Sequence, residues 1–384
     1  MTRSTTATEA FEPEHAARLA RDLSEKGAIR SPEWRRVFAR VPRHLFVSSF
    51  VVRTPEGTVA YDEQTPGRLE TIYSDATLIT RFSAEGLAVS SSTEPSLMAL
   101  MLEHLQVQDG MKVLEVGTGT GYNAALLSER LGSALVTSID VDGVLVDRAR
   151  GALEAAGYRP ALAAVDGARG YPNNAPYQRI LATCGLGRIP VSWLDQLDEG
   201  GLILANVGLG MALLRKGSDG HARGRFLPEA AGFMRLRSSS APGVPTVSEV
   251  LSATGGGPER VRVVEKVAGL DDHASSEFLL SLLLPYGLRV VQHRQEGQVH
   301  GVLDGASGSW MRVEVDHQGR TTVSERGDRH LWAAYTTLLS DWEEAGRPET
   351  GRYGLTITPD GEHHLWLDHP QNTNTPLDQA ETTG

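Results

Sequence analysis

The sequence predicts an α/β fold, in which an open, doubly wound parallel sheet with helices on both faces precedes a C-terminal α+β extension. Three observations predict this fold. Short apolar runs alternate with longer helical patterns through the middle of the chain, and one run ends in a glycine-rich turn that leads directly into a helix. After residue 240 the pattern changes to short strands around one amphipathic helix. Strands that alternate with helices indicate parallel pairing, because a parallel neighbour needs a crossover connection.

The N-terminal region, residues 1–80, is predicted to be a helical cap with an insertion. Apolar residues recur at helical spacing over Glu14–Leu23 and Pro32–Val41, and Ser31 is the expected N-cap of the second helix. Residues 1–12 are polar and threonine-rich, so we expect them to be mobile.

The central region, residues 81–240, is predicted to hold the parallel sheet. The predicted strands are Lys112–Val116, Leu135–Ile139, Ala161–Val165, Arg179–Thr183 and Gly201–Val207, and the predicted helices are Asn123–Leu131, Gly143–Ala156 and Val191–Leu197.

The C-terminal region, residues 241–370, is predicted to be an α+β module. Two segments rich in Ser, Gly and Pro follow Leu236 and indicate a boundary. The helix Leu331–Ala345 is strongly amphipathic, and we expect an antiparallel sheet packed on it. The tail 371–384 is predicted to be disordered. The predicted strands are Gln298–Leu303, Trp310–Val315, Thr321–Ser324, Tyr353–Thr358 and His364–Leu367.

Composition excludes several classes of function. The chain has 37 Lys and Arg against 48 Asp and Glu, and the net charge of −11 argues against nucleic acid as a partner. The single cysteine, Cys184, rules out an intramolecular disulfide and a multi-cysteine zinc site, and no metal is expected. No apolar run reaches membrane-spanning length and residues 1–15 lack a signal-peptide core, so we expect a cytoplasmic protein without membrane contact.

The glycine turn after the first central strand is the most informative motif. Gly117, Gly119 and Gly121 alternate with threonines between a buried-looking strand and a helix. Glycine permits a tight turn, close approach of a ligand to the backbone, and packing of the helix against the strand. The spacing G-x-G-x-G differs from the G-x-G-x-x-G of dinucleotide-binding proteins, so the turn alone does not identify the ligand.

Acidic residues near the ends of three neighbouring strands narrow the choice of ligand. Glu115 precedes the turn, Asp140 ends the second strand about where a carboxylate binds ribose hydroxyls, and Asp166 closes the third. No lysine stands in the turn to bind a phosphate. Carboxylates suit a nucleoside that carries positive charge, so S-adenosylmethionine fits better than NAD or ATP. The alternative is that these carboxylates are ordinary loop or salt-bridged residues.

These motifs, with others in the same order along the chain, resemble the protein-L-isoaspartate O-methyltransferase family. The resemblance extends from Glu14 to Arg237 and implies a Rossmann-like sheet that binds S-adenosylmethionine. The segments that carry it are Val41–Val47 (VPRHLFV), Tyr73–Asp75 with Leu78, Ser90–Pro95 (SSSTEP), Leu114–Tyr122 (LEVGTGTGY), Asp166–Gly167, Ala175–Tyr177, Arg179–Ile180, Pro190, Leu197, Gly200–Gly201 and Val207–Gly208.

The resemblance implies methyl transfer from S-adenosylmethionine to an aspartate or isoaspartate carboxylate in a peptide or protein. The family's active-site serine stands two residues before the proline of SSSTEP, which places Thr93 there and adds a methyl group to the hydroxyl-bearing side chain. Ser92 is the alternative, and both remain catalytic candidates. The implied cofactor-binding residues are Ser90, Ser91, Glu115, Gly117, Thr118, Gly119, Gly121, Asp140, Val141, Asp166, Gly167 and Thr183.

Two further features depart from the family pattern: extra sequence lies between Arg53 and Ala88, and the chain continues well past Leu236. In this extended form it resembles actinobacterial paralogs that act in the maturation of ribosomally made peptides, in graspetide systems with ATP-grasp macrocyclases and in lanthipeptide systems. There the resemblance implies methylation of an ordinary aspartate in a constrained peptide, whose ester closes to an aspartimide. We favour this function over repair of isoaspartyl residues. A cofactor-binding scaffold without turnover and a small-molecule O-methyltransferase are the alternatives.

Other conspicuous side chains have structural interpretations. Cys184 is expected to be a small buried residue, and His44 a structural turn histidine. The histidines at 363, 364 and 369 are expected to be surface residues, not metal ligands. Basic residues from Arg215 to Arg225 are predicted to form a solvated hairpin, with a grip on an acidic peptide as the alternative. A leader-peptide groove at the sheet edge of the C-terminal module is a further alternative.

Overall fold

The computed structural model describes residues 13–55, 57–84, 86–238, 243–264, 274–295 and 297–372. The chain divides into two compact units: unit 1 comprises Met1–Thr183 and Gln196–Leu204, and unit 2 comprises Cys184–Asp195 and Ala205–Gly384. The predicted domain limits near residues 80, 240 and 370 do not coincide with these units, because a change in composition marks a change in local sequence and not the long-range packing. The predicted mobility of residues 1–12 and of most of the tail 371–384 lies outside the described residues.

Unit 1 contains the first helices and strands of the chain. Its helices are α1 Pro13–Glu25, α2 Pro32–Arg40, α3 Arg68–Ile72, α4 Pro95–Leu105, α5 Tyr122–Leu131 and α6 Gly143–Ala155. Its strands are β1 Phe50–Thr54, β2 Gly57–Tyr61, β3 Leu78–Phe82, β4 Ala88–Ser92, β5 Val113–Val116, β6 Val136–Asp140 and β7 Ala161–Ala164, and β8 Tyr177–Leu186 and β9 Leu197–Val207 begin in unit 1 and end in unit 2.

A parallel sheet forms the centre of unit 1. β5 pairs in parallel with β6 on one side and with β8 on the other, and β6 pairs in parallel with β7. All four residues of β5 are buried, as expected of a strand covered on both faces. The doubly wound α/β sheet is therefore confirmed. The predicted central strands and helices are all present, and their largest shift is the start of β9 at Leu197 instead of Gly201.

Local sequence sets where the helices beside this sheet begin. Gly121 precedes α5 with a positive φ of 88°, a conformation that glycine adopts without strain. Asp142 is the N-cap of α6, and its side chain accepts hydrogen bonds from the backbone N–H groups of Val144 and Leu145. Both helices therefore start directly after the loops that follow β5 and β6, at the carboxyl edge of the sheet.

A second, antiparallel sheet of unit 1 was not predicted. Its strand order is β2-β1-β3-β4, and it contains the insertion between Arg53 and Ala88. The hydroxyl-rich segment was not among the predicted strands, but Ala88–Ser92 is strand β4 and pairs with β3. Four of the five residues of β2 are exposed, so this part of the sequence lacks the apolar alternation that identifies a strand.

Unit 2 holds the rest of the chain. Its helices are α7 Val191–Gln196, whose last residue belongs to unit 1, α8 Val247–Thr254, α9 Ala274–Leu283 and α10 Leu331–Glu344. Its strands are β10 Gly210–Lys216, β11 Ala222–Ala230, β12 Arg260–Val264, β13 Gly287–Arg294, β14 Gly297–Asp304, β15 Trp310–Asp316, β16 Thr321–Arg326, β17 Tyr353–Ile357 and β18 His363–Leu367.

Unit 2 contains two antiparallel arrangements. One is a five-stranded sheet in the order β12-β16-β15-β14-β13, and α10 packs against β15 and β16 as the sequence predicts. In the other, β10 pairs with β11, β11 with β17, and β17 with β18. The sequence placed β17 and β18 in the C-terminal sheet, but they pair beside β11. A fully buried strand such as β17 is recognisable from its residues, whereas its distant partner is not.

Candidate functional site

The glycine turn lies at the carboxyl edge of the parallel sheet in unit 1. The backbone N–H groups of Gly117 and Thr118 donate to the Ile139 carbonyl oxygen at 2.8 and 3.1 Å, which fixes the turn against β6. Gly117 has a φ of +106°, and a Cβ atom there would lie 2.7 Å from Thr183 Oγ1. A Cβ at Gly121 would lie 3.0 Å from the Ala149 Cβ. Larger residues would therefore close the turn, and only glycine keeps its backbone accessible.

Asp140 is positioned to interact with both the turn and a ligand. Its Oδ2 accepts a hydrogen bond from the Gly119 N–H and its Oδ1 accepts one from the Asp142 N–H, each at 3.0 Å. A carboxylate oxygen can accept more than one hydrogen bond, which makes Asp140 chemically suited to the hydroxyl donors of a ligand. The following residue, Val141, is 43% exposed and offers an apolar surface at the same edge.

Asp166 closes the neighbouring strand, as predicted. Its Oδ1 accepts a hydrogen bond from the Ala168 N–H at 3.0 Å, and it caps a short turn that contains the buried Gly167. The Val165 N–H donates to the Asp140 carbonyl oxygen at 2.9 Å. The ends of β6 and β7 are thereby joined, and the predicted pair of carboxylates lies at one edge of the sheet.

Glu115 lies below the turn, with only 1% of its surface exposed. One carboxyl oxygen accepts a hydrogen bond from Asn123 Nδ2 at 2.7 Å and the other accepts one from Ser138 Oγ at 2.5 Å. Ser138 is also within 2.7 Å of Thr118 Oγ1. Burial raises the pKa of Glu115 to about 7, although both hydrogen bonds oppose this shift. Glu115 therefore reaches the turn through Ser138 and Thr118, and other groups form the surface that a ligand would meet.

Four consecutive residues with hydroxyl side chains, Ser90 to Thr93, pass beside the glycine turn, and we call them the hydroxyl run. The first three belong to β4 and Thr93 follows it directly. Ser90 and Ser92 are buried, whereas Ser91 and Thr93 are half-buried, as expected of alternating side chains on a strand. A Cβ atom at Gly119 would lie 3.6 Å from the Ser91 carbonyl oxygen. The hydroxyls and the turn, which are separate in the sequence, are thus brought together within unit 1.

The two catalytic candidates have different surroundings. Ser92 Oγ accepts a hydrogen bond from Arg43 Nη2 at 3.3 Å and is 3% exposed. The Thr93 hydroxyl has no hydrogen-bond partner in the part of the chain that the structure describes, whereas its carbonyl oxygen accepts from Arg43 Nη2 at 3.1 Å. Of the two hydroxyls, that of Thr93 is the one available to another molecule.

Arg43 is the residue that sequence reasoning missed. It belongs to the segment VPRHLFV, in which a role was predicted for His44 and none for Arg43. Its side chain is completely buried, lacks an ion-pair partner among the described residues and lies 5.6 Å from the centre of the Tyr122 ring. Burial lowers its pKa to about 10. Besides Ser92 and Thr93, its guanidinium donates to the carbonyl oxygens of Ile72, Ser74 and Ala76 at 2.7, 3.0 and 3.2 Å.

The other conspicuous side chains of unit 1 and unit 2 are structural. Cys184 is buried, and His44 Nδ1 lies 2.8 Å from the Tyr73 hydroxyl, in agreement with the expectations. His363 was expected at the surface but is 2% exposed, because its Nε2 accepts a hydrogen bond from the Ile189 N–H. No group of three or more His, Cys, Asp or Glu side chains suited to a metal ion occurs among the described residues.

The basic hairpin β10–β11 is present, and its cations have partners within unit 2. Arg223 pairs with Asp219 at 2.8 Å, and Lys216 donates to the Leu194 carbonyl oxygen at 2.6 Å. Arg225 donates to the Arg352 carbonyl oxygen at 3.0 Å. These contacts favour the structural interpretation over a peptide grip. In the described part of the chain, no helix is long and apolar enough to cross a membrane.

Comparison with known proteins shows which family the chain is similar to. Residues 14–227 match the family model of Protein-L-isoaspartate(D-aspartate) O-methyltransferase. A protein-L-isoaspartate O-methyltransferase of Thermococcus sibiricus is 38% identical over 193 residues, which cover 50% of this chain and 76% of that protein. One of Methanothermobacter thermautotrophicus is 37% identical over 193 residues, which cover 50% of this chain and 78% of that protein.

A solved structure named protein-L-isoaspartate O-methyltransferase has the same fold, with a TM-score of 0.57 and 22% identity over 93% of this chain and 100% of the other. The cofactor of the family, S-adenosylmethionine, fits the residues at the edge of the sheet: a glycine turn that a larger side chain would close, and the carboxylates of Asp140 and Asp166. The family model spans more than half of the chain, and the resemblance seen in the sequence is confirmed: the chain is a methyltransferase that belongs to the protein-L-isoaspartate O-methyltransferase family.

Proposed function

We propose that this chain methylates the carboxylate of an aspartyl or isoaspartyl residue in a peptide or protein. The observation that carries the proposal is the free, half-buried hydroxyl of Thr93 at the end of β4, in the same unit as the glycine turn. When bound, S-adenosylmethionine supplies an electrophilic methyl group. A carboxylate oxygen forms the new O–C bond as the C–S bond breaks, and the products are a methyl ester and S-adenosylhomocysteine.

No general base is required for this reaction. A carboxylate has a reference pKa of about 4 and is already ionised at neutral pH. The work of the protein is to hold the nucleophile in line with the methyl group, which contributes on the order of 7–11 kcal/mol in well-oriented systems. A hydroxyl donor suits this task, because it orients a carboxylate without removing its charge, as a close lysine would.

We assign the orienting role to Thr93 and a positioning role to Arg43. The Thr93 hydroxyl donates to the substrate carboxylate, while Arg43 holds the Thr93 carbonyl oxygen and so fixes the direction of the side chain. Ser92 is engaged by Arg43 and is buried, which favours a structural role for it. S-adenosylmethionine would be held by Asp140, Asp166, Val141 and the glycine turn, with Asp140 as the acceptor for its ribose hydroxyls.

We propose further that the substrate is an aspartate in a constrained, ribosomally made peptide and that its ester closes to an aspartimide. The feature that supports this choice over repair of isoaspartyl residues is Thr93, which stands where the family pattern has a serine and adds a methyl group to the hydroxyl-bearing side chain. A change of this kind beside the reactive carboxylate alters which substrate the site admits. Methylation favours ring closure because methoxide is a better leaving group than oxide.

The test is a comparison of two substrates with labelled S-adenosylmethionine. A macrocyclic peptide with an ordinary aspartate should be esterified and then lose methanol as the aspartimide forms, whereas a linear isoaspartyl peptide of the same composition should be a poorer substrate. Efficient turnover of the linear isoaspartyl peptide alone would reverse this assignment in favour of repair.

A further inference from the structure

A cavity in unit 1 is lined by residues of both the glycine turn and α6. It has a volume of about 510 Å³, and its lining includes Gly119 and Thr120 of the turn, Ser48 and Ser49 of the segment before β1, and Arg148 of α6. We call it the α6 cavity. Its lining shares the glycine turn with the cofactor site but includes neither Asp140 nor Asp166.

The lining of the α6 cavity combines donors with an apolar wall. Ser48, Ser49, Thr80 and Thr120 contribute hydroxyl-bearing side chains. The apolar part consists of Leu45, Phe46 and Leu145, and Gly151 and Ala152 leave room beside them. Such a cavity accepts a short aliphatic stem that ends in a polar, hydrogen-bond-accepting group.

Arg148 sets the charge of that group. It is exposed and makes no hydrogen bond or ion pair with any residue that the structure describes. The acidic neighbour in the lining, Asp147, pairs instead with Arg150 at 2.7 Å. An arginine without a partner beside several hydroxyls favours a carboxylate, which accepts charge-assisted hydrogen bonds from both kinds of donor.

The α6 cavity adjoins the hydroxyl run through two of its lining residues. Thr80 lines the cavity, and its Oγ1 donates to Ser90 Oγ at 3.1 Å. Gly119 also lines it, and a Cβ there would lie 3.6 Å from the Ser91 carbonyl oxygen. Thr93 is two positions after Ser91, a distance of about 7 Å in extended chain. A peptide whose reactive carboxylate is at Thr93 therefore brings a side chain one to three residues away to the cavity.

We propose that the α6 cavity is a subsite for an acidic side chain of the peptide substrate, one to three residues from the residue that is methylated, and that Arg148 is its specificity-determining cation. This proposal rests on the proposed function for the place of the reactive carboxylate. A local cation matters here, because a protein with a net charge of −11 repels acidic peptides at longer range.

A double-mutant cycle tests the subsite through binding alone. Fluorescein-labelled peptides with one reactive residue, either aspartyl in a macrocycle or isoaspartyl in a linear chain, and with glutamate or glutamine at one, two or three positions from it are titrated into protein saturated with S-adenosylhomocysteine. Wild-type protein is compared with Arg148→Gln and with the matched control Arg21→Gln, an exposed arginine of α1 that does not line the cavity. Methyl transfer to the same peptides is measured separately.

The expected result is that the wild type binds the glutamate peptide about five-fold more tightly than the glutamine peptide in at least one position, as for a partly exposed ion pair. Arg148→Gln should abolish this preference and Arg21→Gln should keep it. Equal preferences in wild type and Arg148→Gln, or no peptide binding by the wild type, would overturn the subsite. Intact, Arg148-dependent binding without methyl transfer would instead overturn the proposed function and leave the subsite in place.

Discussion

Arg43 and Thr93 are joined by a 3.1 Å hydrogen bond from Arg43 Nη2 to the Thr93 carbonyl oxygen, which leaves the threonine hydroxyl unengaged. The same guanidinium binds Ser92 Oγ, so the two neighbouring hydroxyl residues differ in availability. A buried cation holds the backbone, and one side chain is left to meet a ligand. This relationship separates Thr93 from Ser92, which the sequence alone could not do.

The first prediction concerns the Thr93 hydroxyl. Thr93→Ala should lower kcat by about 10- to 100-fold, the usual value of a hydrogen bond to a charged group, while the melting temperature changes little. Thr93→Ser should retain most activity because it keeps the hydroxyl. Ser92→Ala is the control: it removes an acceptor from the buried Arg43 and should cost about 1 kcal/mol of unfolding free energy with a smaller loss of kcat. A larger loss of kcat in Ser92→Ala than in Thr93→Ala would contradict the assignment.

The second prediction concerns Arg43 as a positioning residue. Arg43→Lys keeps the charge but cannot reach several carbonyl oxygens at once, and it should lower the unfolding free energy by about 2–4 kcal/mol and kcat by about 10-fold or more. The dissociation constant for S-adenosylhomocysteine should change little, because Arg43 acts through Thr93.

Arg68→Lys is the matched control for that variant. Arg68 is also a buried arginine, and its guanidinium donates to the carbonyl oxygens of Val47 and Ser48. Both variants should unfold at a lower temperature than the wild type. At temperatures below both unfolding transitions, only Arg43→Lys should have a reduced kcat. If both lose kcat to the same extent, Arg43 has no particular role in orienting Thr93.

The third prediction is the pH dependence of stability at Glu115. Burial raises its folded-state pKa to about 7 from 4.5, so between these values the folded state holds a proton that the unfolded state has released. The unfolding free energy contributed by this group is therefore unchanged below about pH 4.5 and falls as the pH rises to about 7, by roughly 3 kcal/mol at most. Urea unfolding of wild type and Glu115→Gln across this range isolates the effect: the difference between them should change with that slope, and a constant difference would contradict the shift.

The fourth prediction concerns the cofactor site. Asp140→Asn should weaken binding of S-adenosylhomocysteine by about 10-fold or more, because a charged acceptor for the ribose hydroxyls is lost. Asp109→Asn is the control, since the Asp109 side chain is 91% exposed and its ion-pair partner among the described residues is Arg130. Titration calorimetry measures both. The absence of binding heat in the wild-type protein would contradict the assignment of this edge of the sheet as the cofactor site.

The sequence predicted the parallel sheet because its strands are recognisable one at a time. β5 is a short apolar run buried along its whole length, it ends in a turn that requires glycine, and helices with clear start signals separate the strands. The sheet β1–β4 escaped prediction because its sequence has no comparable signal, as the exposed strand β2 illustrates. Strand pairing across the insertion depends on contacts between distant residues, which a local pattern does not contain.

The sequence predicted which residues form the candidate site more completely than it predicted how their side chains are arranged. Spacing placed Asp140 and Asp166 at the ends of adjacent strands, where the structure has them. Spacing could not tell that Glu115 points to Ser138 and Asn123 instead of outward, because β5 is buried on both sides. Nor could it identify Arg43, whose partners are backbone carbonyl groups some 30 to 50 residues away in sequence.

Identification of the methylated product tests the proposed carboxyl methylation most directly. Purified protein, labelled S-adenosylmethionine and peptides that contain aspartate or isoaspartate should give a base-labile methyl ester on that residue, located by tandem mass spectrometry, and Thr93→Ala should form it much more slowly. A base-stable methyl group on another atom, or no methylated peptide although S-adenosylhomocysteine binds, would contradict the central claim that this chain is a carboxyl methyltransferase.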